Sequence, residues 1–383
     1  MLHLLPFCNS ESQRTKVQLY TNLGSMRAVA QQLGINQSNV SSTLRMLKRK
    51  AAESGIAPEA DMTHQTAEGF NVKGTSTLYD EDGNVKVQWV KTQHKGHNPE
   101  EIAEAFNELL GDFQACPITA PKQADEDILA TYVYGDPHIG LLAHRDEAGE
   151  DFDLKIATRD LQKGTKALVD RSPSTDEALI LQLGDFFHSD NPQNRTARSG
   201  NALDVDGRWF KVLSVGIDLM IELTISALAK HKHVTVKNIV GNHDDMSSWF
   251  LSTAMSKYFR NEPRVTVDMS PAKFWYFTFG KNLIGSTHGD TAKPEKLPLI
   301  MATDKPHEWA DADFRYWFTG HIHNKQAMEF SGCMWESFRT LAGSDAWHAG
   351  AGYRSGKDLS CVLLHKDFGE IGRNTASLKM VRS

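Results

Sequence analysis

Residues 128–138 read Ile-Leu-Ala-Thr-Tyr-Val-Tyr-Gly-Asp-Pro-His: an apolar run that stops at a glycine and is followed at once by an acid and an imidazole. Its length and its β-branched and aromatic content predict a buried strand. Four more times an apolar strand stops and a small cluster of Asp, Asn or His follows. Ala178–Leu183 ends in Gly184-Asp185-Phe186-Phe187-His188, and Val234–Val240 ends in Gly241-Asn242-His243-Asp244. Leu283–Ser286 ends in Thr287-His288-Gly289-Asp290, and Phe314–Thr319 ends in Gly320-His321-Ile322-His323. Loops beyond the carboxyl ends of strands are where α/β sheets build their sites. One Asp-x-His or His-x-His is commonplace and usually structural. Five such clusters, each after a strand, point to one site. Imidazole and carboxylate together suit Mn, Fe or Zn better than Ca or Mg.

Helical periodicity covers Leu154–Arg171, Trp209–Lys230 and Met246–Arg260 between these strands. Phe274–Ser286 reads as a hairpin, and Gln326–Arg339 and Cys361–Leu364 as further strands. The expected fold is an α/β core, its early strands alternating with helices and its later ones in hairpins.

The motif order D-x-H, G-D-x-x-(D/H), G-N-H-D, H-G and G-H-x-H resembles that of the calcineurin-like metallophosphoesterases, across Ile128–Leu364. The resemblance implies a four-layer α/β/β/α sandwich holding two divalent metal ions, Mn²⁺ first, with Fe, Zn or Mg as alternatives. Carried over motif by motif, Asp136, His138 and His323 bind one metal, Asn242, His288 and His321 bind the other, and Asp185 bridges them. Two such cations clamp a phosphate ester and stabilise both attacking and leaving oxygens. His243 then stabilises the transition state or protonates the leaving oxygen, and Asp244 orients its imidazole. His188 stands where many members carry Asp. With Asp136-Pro137-His138-Ile139-Gly140 and Gly241-Asn242-His243-Asp244-Asp245, this looks like the SbcD-type DNA repair nucleases, and it implies that His188 helps to position the substrate. No capping domain and no C-terminal helical segment of the kind that grips an ATPase in those complexes is read after Leu364. An ATPase partner and processive, ATP-driven action are therefore not expected.

The front of the chain differs in charge. Ser12–Ala52 holds no acid and seven bases, Arg14, Lys16, Arg27, Arg45, Lys48, Arg49 and Lys50. The whole chain totals −6, so the remainder carries −13. A basic head on an acidic body suits an anionic partner, most often nucleic acid. Ser25 is placed to cap a helix over Met26–Leu33, Gly34 to break it, and Asn36 to cap a second from Gln37 to about Ala52. Ala30, Gly34 and Val40 have the spacing of a helix-turn-helix, and the head resembles such modules at the front of bacteriophage proteins. On that reading Gln37, Ser38, Ser41, Ser42 and Arg45 face DNA. A plain helical hairpin remains the alternative.

Three domains are expected: a DNA-binding head over 1–56, a β-hairpin plus helix and linker over 57–124, and the phosphoesterase domain over 125–383. In the middle one, Val72–Tyr79 and Val85–Lys91 flank an Asp82-Gly83-Asn84 turn, Glu100–Leu110 is helical, and Ala115–Asp127 is linker. The Gly-rich stretch Ala342–Gly356, with Trp347, His348, Tyr353 and Arg354, reads equally as a substrate loop or a structural one. His231 and His233 read as surface histidines.

Composition narrows the classes. Apolar residues at 40% and charged residues at 23% exclude a disordered, collagenous or coiled-coil chain. Four scattered cysteines offer no Cys-x-x-Cys pair, which excludes a cysteine-ligated zinc site and fits a reducing compartment. No apolar run spans a bilayer, and the start lacks a signal peptide's basic region. The expectation is a cytoplasmic protein of a bacterium or a phage-infected cell, with homodimerisation open. Its leading function is a two-metal phosphodiester hydrolase acting on DNA, a nuclease. The alternatives are a nucleotide phosphodiesterase or phosphoprotein phosphatase, and a DNA-binding regulator with a dead site. The complete set of ligand-type residues speaks against the last.

Overall fold

The computed structural model describes residues 1–60, 62–66, 70–80, 85–94, 118–196, 200–344, 350 and 354–383. Two units divide the chain, Met1–Ala105 and Phe106–Ser383. Among the described residues, no helix is long and apolar enough to cross a membrane.

In the first unit, three helices share one core. They are α1 (Glu11–Leu23), α2 (Met26–Leu33) and α3 (Gln37–Glu53). Leu4, Val17, Val29, Ala30, Val40, Leu44 and Leu47 are buried together. Ser25 accepts the Ala28 N–H and caps α2, and Gly34, at φ 64°, ends it in the left-handed region. Asn36 sits at the N-cap of α3, but its side chain makes no capping hydrogen bond, contrary to expectation. The sequence reading missed α1, whose apolar positions are few. Beyond β1 (Ile56–Ala57) and β2 (Met62–Thr63), β3 (Phe70–Tyr79) and β4 (Val85–His94) pair as an antiparallel hairpin. The Asp82–Asn84 turn, the Glu100–Leu110 helix, residues 115–117 of the linker, and Trp347, His348 and Tyr353 lie outside the described residues.

The second unit is built on two sheets. In the first, β5 (Asp125–Tyr134), β6 (Thr175–Gln182), β7 (His233–Asn238) and β8 (Val265–Asp268) run parallel. The second holds β9 (Trp275–Phe279), β10 (Asn282–Ser286), β11 (Phe314–Thr319), β12 (Gln326–Phe330) and β13 (Cys333–Ser337), ordered β12-β13-β11-β10-β9. Back in the first sheet, β14 (Asp358–His365) pairs antiparallel with β5, and β15 (Gly369–Ser377) lies outside β14.

The two-residue period of a strand sorts the side chains. Leu129 and Val133 of β5 and Leu179 and Leu181 of β6 join Ile284, Tyr316 and Phe318 of the second sheet in one cluster. Ala130, Tyr132, Ala178 and Ile180, the alternate positions, pack with helices α4 (Leu154–Arg171) and α5 (Trp209–Leu228). Met255, from α6 (Asp245–Tyr258), joins that same cluster. Leu283, Trp317 and Trp335 pack with Leu297 and Met301 of α7 (Leu297–Asp304).

Several expectations need correction. Gln326–Arg339 is two strands, broken by a turn at Gly332, φ 80°. The later strands are not all hairpins, since β11 runs parallel to both β10 and β13. The chain does not run out of structure at Leu364: β15 follows, with the helical turn α8 (Leu378–Val381). Its sequence, Gly-Glu-Ile-Gly-Arg-Asn-Thr-Ala-Ser, lacks apolar alternation, and only its Gly369 and Ala376 are buried.

Candidate metal centre

Each strand of the five motifs delivers its polar residues through a tight turn, and several of these turns are strained. Asp136 (φ 44°), His138 (46°), Asp185 (52°), His321 (69°) and His323 (50°) all lie in the left-handed region. The only other non-glycine residue there among those described is Asn194. Such conformations cost about 1–3 kcal/mol each and gather at functional sites. The flanking glycines leave room for carboxylates. A Cβ on Gly241 would sit 2.1 Å from Asp185 Oδ1, and one on Gly320 would sit 2.6 Å from Asp136 Oδ2.

Three groups of ligand-type atoms result: Asp136, His138 and His323; Asp185, His288 and His321; and His138, His188 and His243, which shares His138 with the first. In the first, His138 Nε2 faces His323 Nε2 at 3.1 Å, and Asp136 Oδ1 lies 3.7 Å from His323 Nε2. In the second, His288 Nε2 lies 2.9 Å from Asn242 Oδ1, 3.1 Å from Asp185 Oδ2 and 3.2 Å from His321 Nδ1. Asp136 Oδ1 also stands 3.7 Å from His288 Nδ1, which links the two groups.

The protonation pattern fits cations. A carbonyl only accepts, so the Leu183 oxygen, 2.9 Å away, fixes the proton of His288 on Nδ1. Its Nε2 is then left among two oxygens and another ring nitrogen, an arrangement of lone pairs that a cation reconciles. Ligands about 2.1 Å from a shared metal lie about 3.0–3.4 Å from each other, as these atoms do. Without a metal, a proton takes its place. Burial opposes charge on His288, but the Asp185 carboxylate outweighs it and raises the ring to about 10. Burial also opposes the charge of Asp185, yet His288, His138 and His243 overcome it and hold that carboxyl well below its usual range. Burial raises Asp136 to about 8 despite His288. It depresses His138 and His321, helped by neighbouring imidazoles.

All seven residues assigned to metals are thus gathered. Asp185 stands with His288 and His321, and Asp136 is the carboxylate that touches both groups. His321 is exposed, and Asn242, His243 and His323 are half-buried.

His243 stands beside this cluster, its ring 5.0 Å from that of His138. Its Nδ1 lies 2.9 Å from the His188 carbonyl oxygen, so that carbonyl, and not Asp244, orients the imidazole. The role expected for Asp244 is corrected accordingly. Its carboxylate accepts the backbone N–H groups of Asp185, Phe187 and Gly241, at 3.2, 3.1 and 3.1 Å. It ties the second and third motif loops together. Burial, then the nearby Asp185, raises its carboxyl to about 7. His188 is 2% exposed and its Nδ1 faces His138 Nδ1 at 3.1 Å.

Sequence reasoning missed Thr340, whose hydroxyl donates to the Asp136 carbonyl at 2.6 Å, and Asp190, which accepts from Met246 and Ser247 at the start of α6. Asp190 lies two residues after the second motif, a signal that was available; Thr340 carried none. His231 is not a surface histidine. It is buried, with Tyr132 Oη 2.8 Å from Nε2 and Thr175 Oγ1 2.7 Å from Nδ1. Arg354 is exposed.

In the head, Gln37, Ser38, Ser42 and Arg45 are exposed and Ser41 is half-buried. Lys16 is withdrawn from the basic surface: its Nζ donates to Asn39 Oδ1 at 2.8 Å and to Thr43 Oγ1 at 3.3 Å.

No protein-family model matches the chain, and no curated protein does. Among solved structures, it is similar to Zn²⁺-complexed Vps29 from Entamoeba histolytica (13% identity, 65% of this chain and 99% of that one, TM-score 0.27). It is also similar to YfcE, a phosphoesterase from E. coli (13%, 64% and 98%, TM-score 0.32), and to PhoD (7%, 68% and 70%, TM-score 0.34). Identity and TM-score are low throughout, and the functional reading rests on the geometry of the site itself.

Proposed function

We propose that this chain is a calcineurin-like metallophosphoesterase that hydrolyses phosphodiesters, with DNA as its substrate and the head as a helix-turn-helix anchor. The observation that carries the reading is the convergence of seven ligand-type side chains from five strand ends into two linked groups, with five of them on strained backbone. Helices on the outer side of each sheet and a shared core between the sheets agree with a four-layer sandwich.

Asp136, His138 and His323 would hold one divalent cation, and Asn242, His288 and His321 the other, and Asp185 would serve both. Such cations supply Lewis acidity and lower the pKa of water. The chain's own part comes from its hydrogen bonds. Asp185 Oδ1 accepts the His243 N–H at 2.8 Å, which leaves Oδ2 for the ligand cluster. The His188 carbonyl holds the His243 Nδ1–H, leaving Nε2 to meet a substrate oxygen, the position from which a general acid would serve the leaving group. DNA as the substrate is supported by the acid-free basic stretch Ser12–Ala52 and by the exposed polar start of α3.

The test is Mn²⁺-dependent cleavage of single- and double-stranded DNA by wild type, His243→Ala and Asp185→Asn. The expected result is cleavage by wild type, a loss of about 10²–10⁴-fold in His243→Ala, and none in Asp185→Asn. Intact DNA with Mn²⁺ bound rejects DNA as substrate. Bis-p-nitrophenyl phosphate against p-nitrophenyl phosphate then separates diesterase from monoesterase.

A further inference from the structure

His138 presents its two ring nitrogens to two other imidazoles. Nε2 faces His323 Nε2, and Nδ1 faces His188 Nδ1, each at 3.1 Å. A contact between two ring nitrogens needs a proton or a cation between them. A His138 Nδ1–H donated to His188 leaves the Nε2 lone pair for a cation shared with His323. A proton on His188 Nδ1 would force the opposite tautomer on His138 and aim its Nε2–H at the place of the cation.

His188 is fixed in place. Its backbone N–H donates to the Ile139 carbonyl at 3.0 Å, its own carbonyl holds His243, and its ring lies stacked 5.4 Å from that of His243, 18° from parallel. His138 and His188 are both at least nine-tenths buried. We propose that His188 is a positioning residue that sets the ligating tautomer of His138, and so the affinity of the Asp136–His138–His323 group for a divalent cation. The inference rests on the reading of that group as a metal site. It assigns to His188 a task other than touching the substrate.

The experiment combines two readouts on the full chain. Histidine-labelled ¹⁵N NMR of the metal-free wild type reports the tautomer of His138, assigned by its loss in His138→Gln. Mn²⁺ titration calorimetry compares wild type, His188→Asn and His188→Phe. Asn offers Oδ1 where His offers Nδ1; Phe keeps a buried ring but accepts nothing. The expected result is a His138 Nδ1–H tautomer and two Mn²⁺ equivalents in wild type and His188→Asn. In His188→Phe, one equivalent weakens by about 10–100-fold and the other is unchanged. An Nε2–H tautomer in wild type, or wild-type binding by His188→Phe, overturns the inference alone. A wild type that binds no Mn²⁺ overturns the metal reading itself. If His188→Phe does not fold, the wild-type tautomer decides.

Discussion

The backbone N–H of His321 lies 2.9 and 3.0 Å from the two carboxylate oxygens of Asp136, across 185 residues of chain. That contact joins the loop after β11, in one sheet, to the loop after β5, in the other. The carboxylate is therefore placed by backbone before any ligand arrives. Pre-placement of this kind is how a site keeps buried charge in register.

Gly320 makes the contact sterically possible. Its missing Cβ would fall 2.6 Å from Asp136 Oδ2, inside van der Waals contact. Gly320→Ala is expected to push the carboxylate aside and lower Mn²⁺ affinity by about tenfold or more, near 1.4 kcal/mol. Calorimetric titration checks it; unchanged affinity would show that the loop yields.

The raised Asp136 carboxyl makes stability depend on pH and metal together. In the folded, metal-free chain it titrates at about 8, chiefly through burial. A carboxyl raised on folding favours the protonated folded state, so its contribution is present at acid pH and is lost as pH rises through 8. A divalent cation competes with that proton. The Mn²⁺-induced rise in Tm is expected to grow from pH 6 to pH 8.5, and Asp136→Asn to reduce the growth without abolishing it, since the cation also displaces the proton of His288. Thermal melts with Mn²⁺ and with chelator measure both.

Much of this site was legible because metal ligands must leave a strand abruptly. A strand that stops at a small cluster of Asp, Asn or His, four times directly behind a glycine, is a local signature, and the five of them named every residue of the two groups. What the sequence hid is non-local. Asp244 looked like a partner for its neighbour His243, yet its carboxylate turns to backbone N–H groups of two motif loops. His231 looked exposed beside Lys230 and Lys232, yet Tyr132 draws it inward from 99 residues away. The strand β15 was hidden for another reason, since only Gly369 and Ala376 of its nine residues are buried.

Asp244 offers a prediction that separates scaffold from catalyst. Asp244→Ala leaves three backbone donors of Asp185, Phe187 and Gly241 without their acceptor. Each orphaned buried donor costs about 1–3 kcal/mol, softened where water enters. Urea unfolding is expected to show a loss of at least about 2 kcal/mol, with Asp244→Asn intermediate because one oxygen remains. If instead activity falls while stability holds, Asp244 works on the chemistry.

The head makes a quantitative forecast about salt. If α3 docks on duplex DNA, each phosphate contact releases counterions, and log K falls against log salt by about 0.9 per contact. Arg45, exposed on α3 among Ser38, Ser41 and Ser42, is a candidate contact, and Arg45→Ala is expected to reduce the slope by about one. Lys16 belongs to the same basic stretch and carries the same charge, but its ammonium is held by Asn39 and Thr43. Lys16→Met should leave the slope as it is. Fluorescence anisotropy with the full chain, from low to moderate salt, reads all three proteins. Equal effects of Arg45→Ala and Lys16→Met would mean that α3 is not the docking helix. A wild-type slope near zero would return the head to the plain helical hairpin.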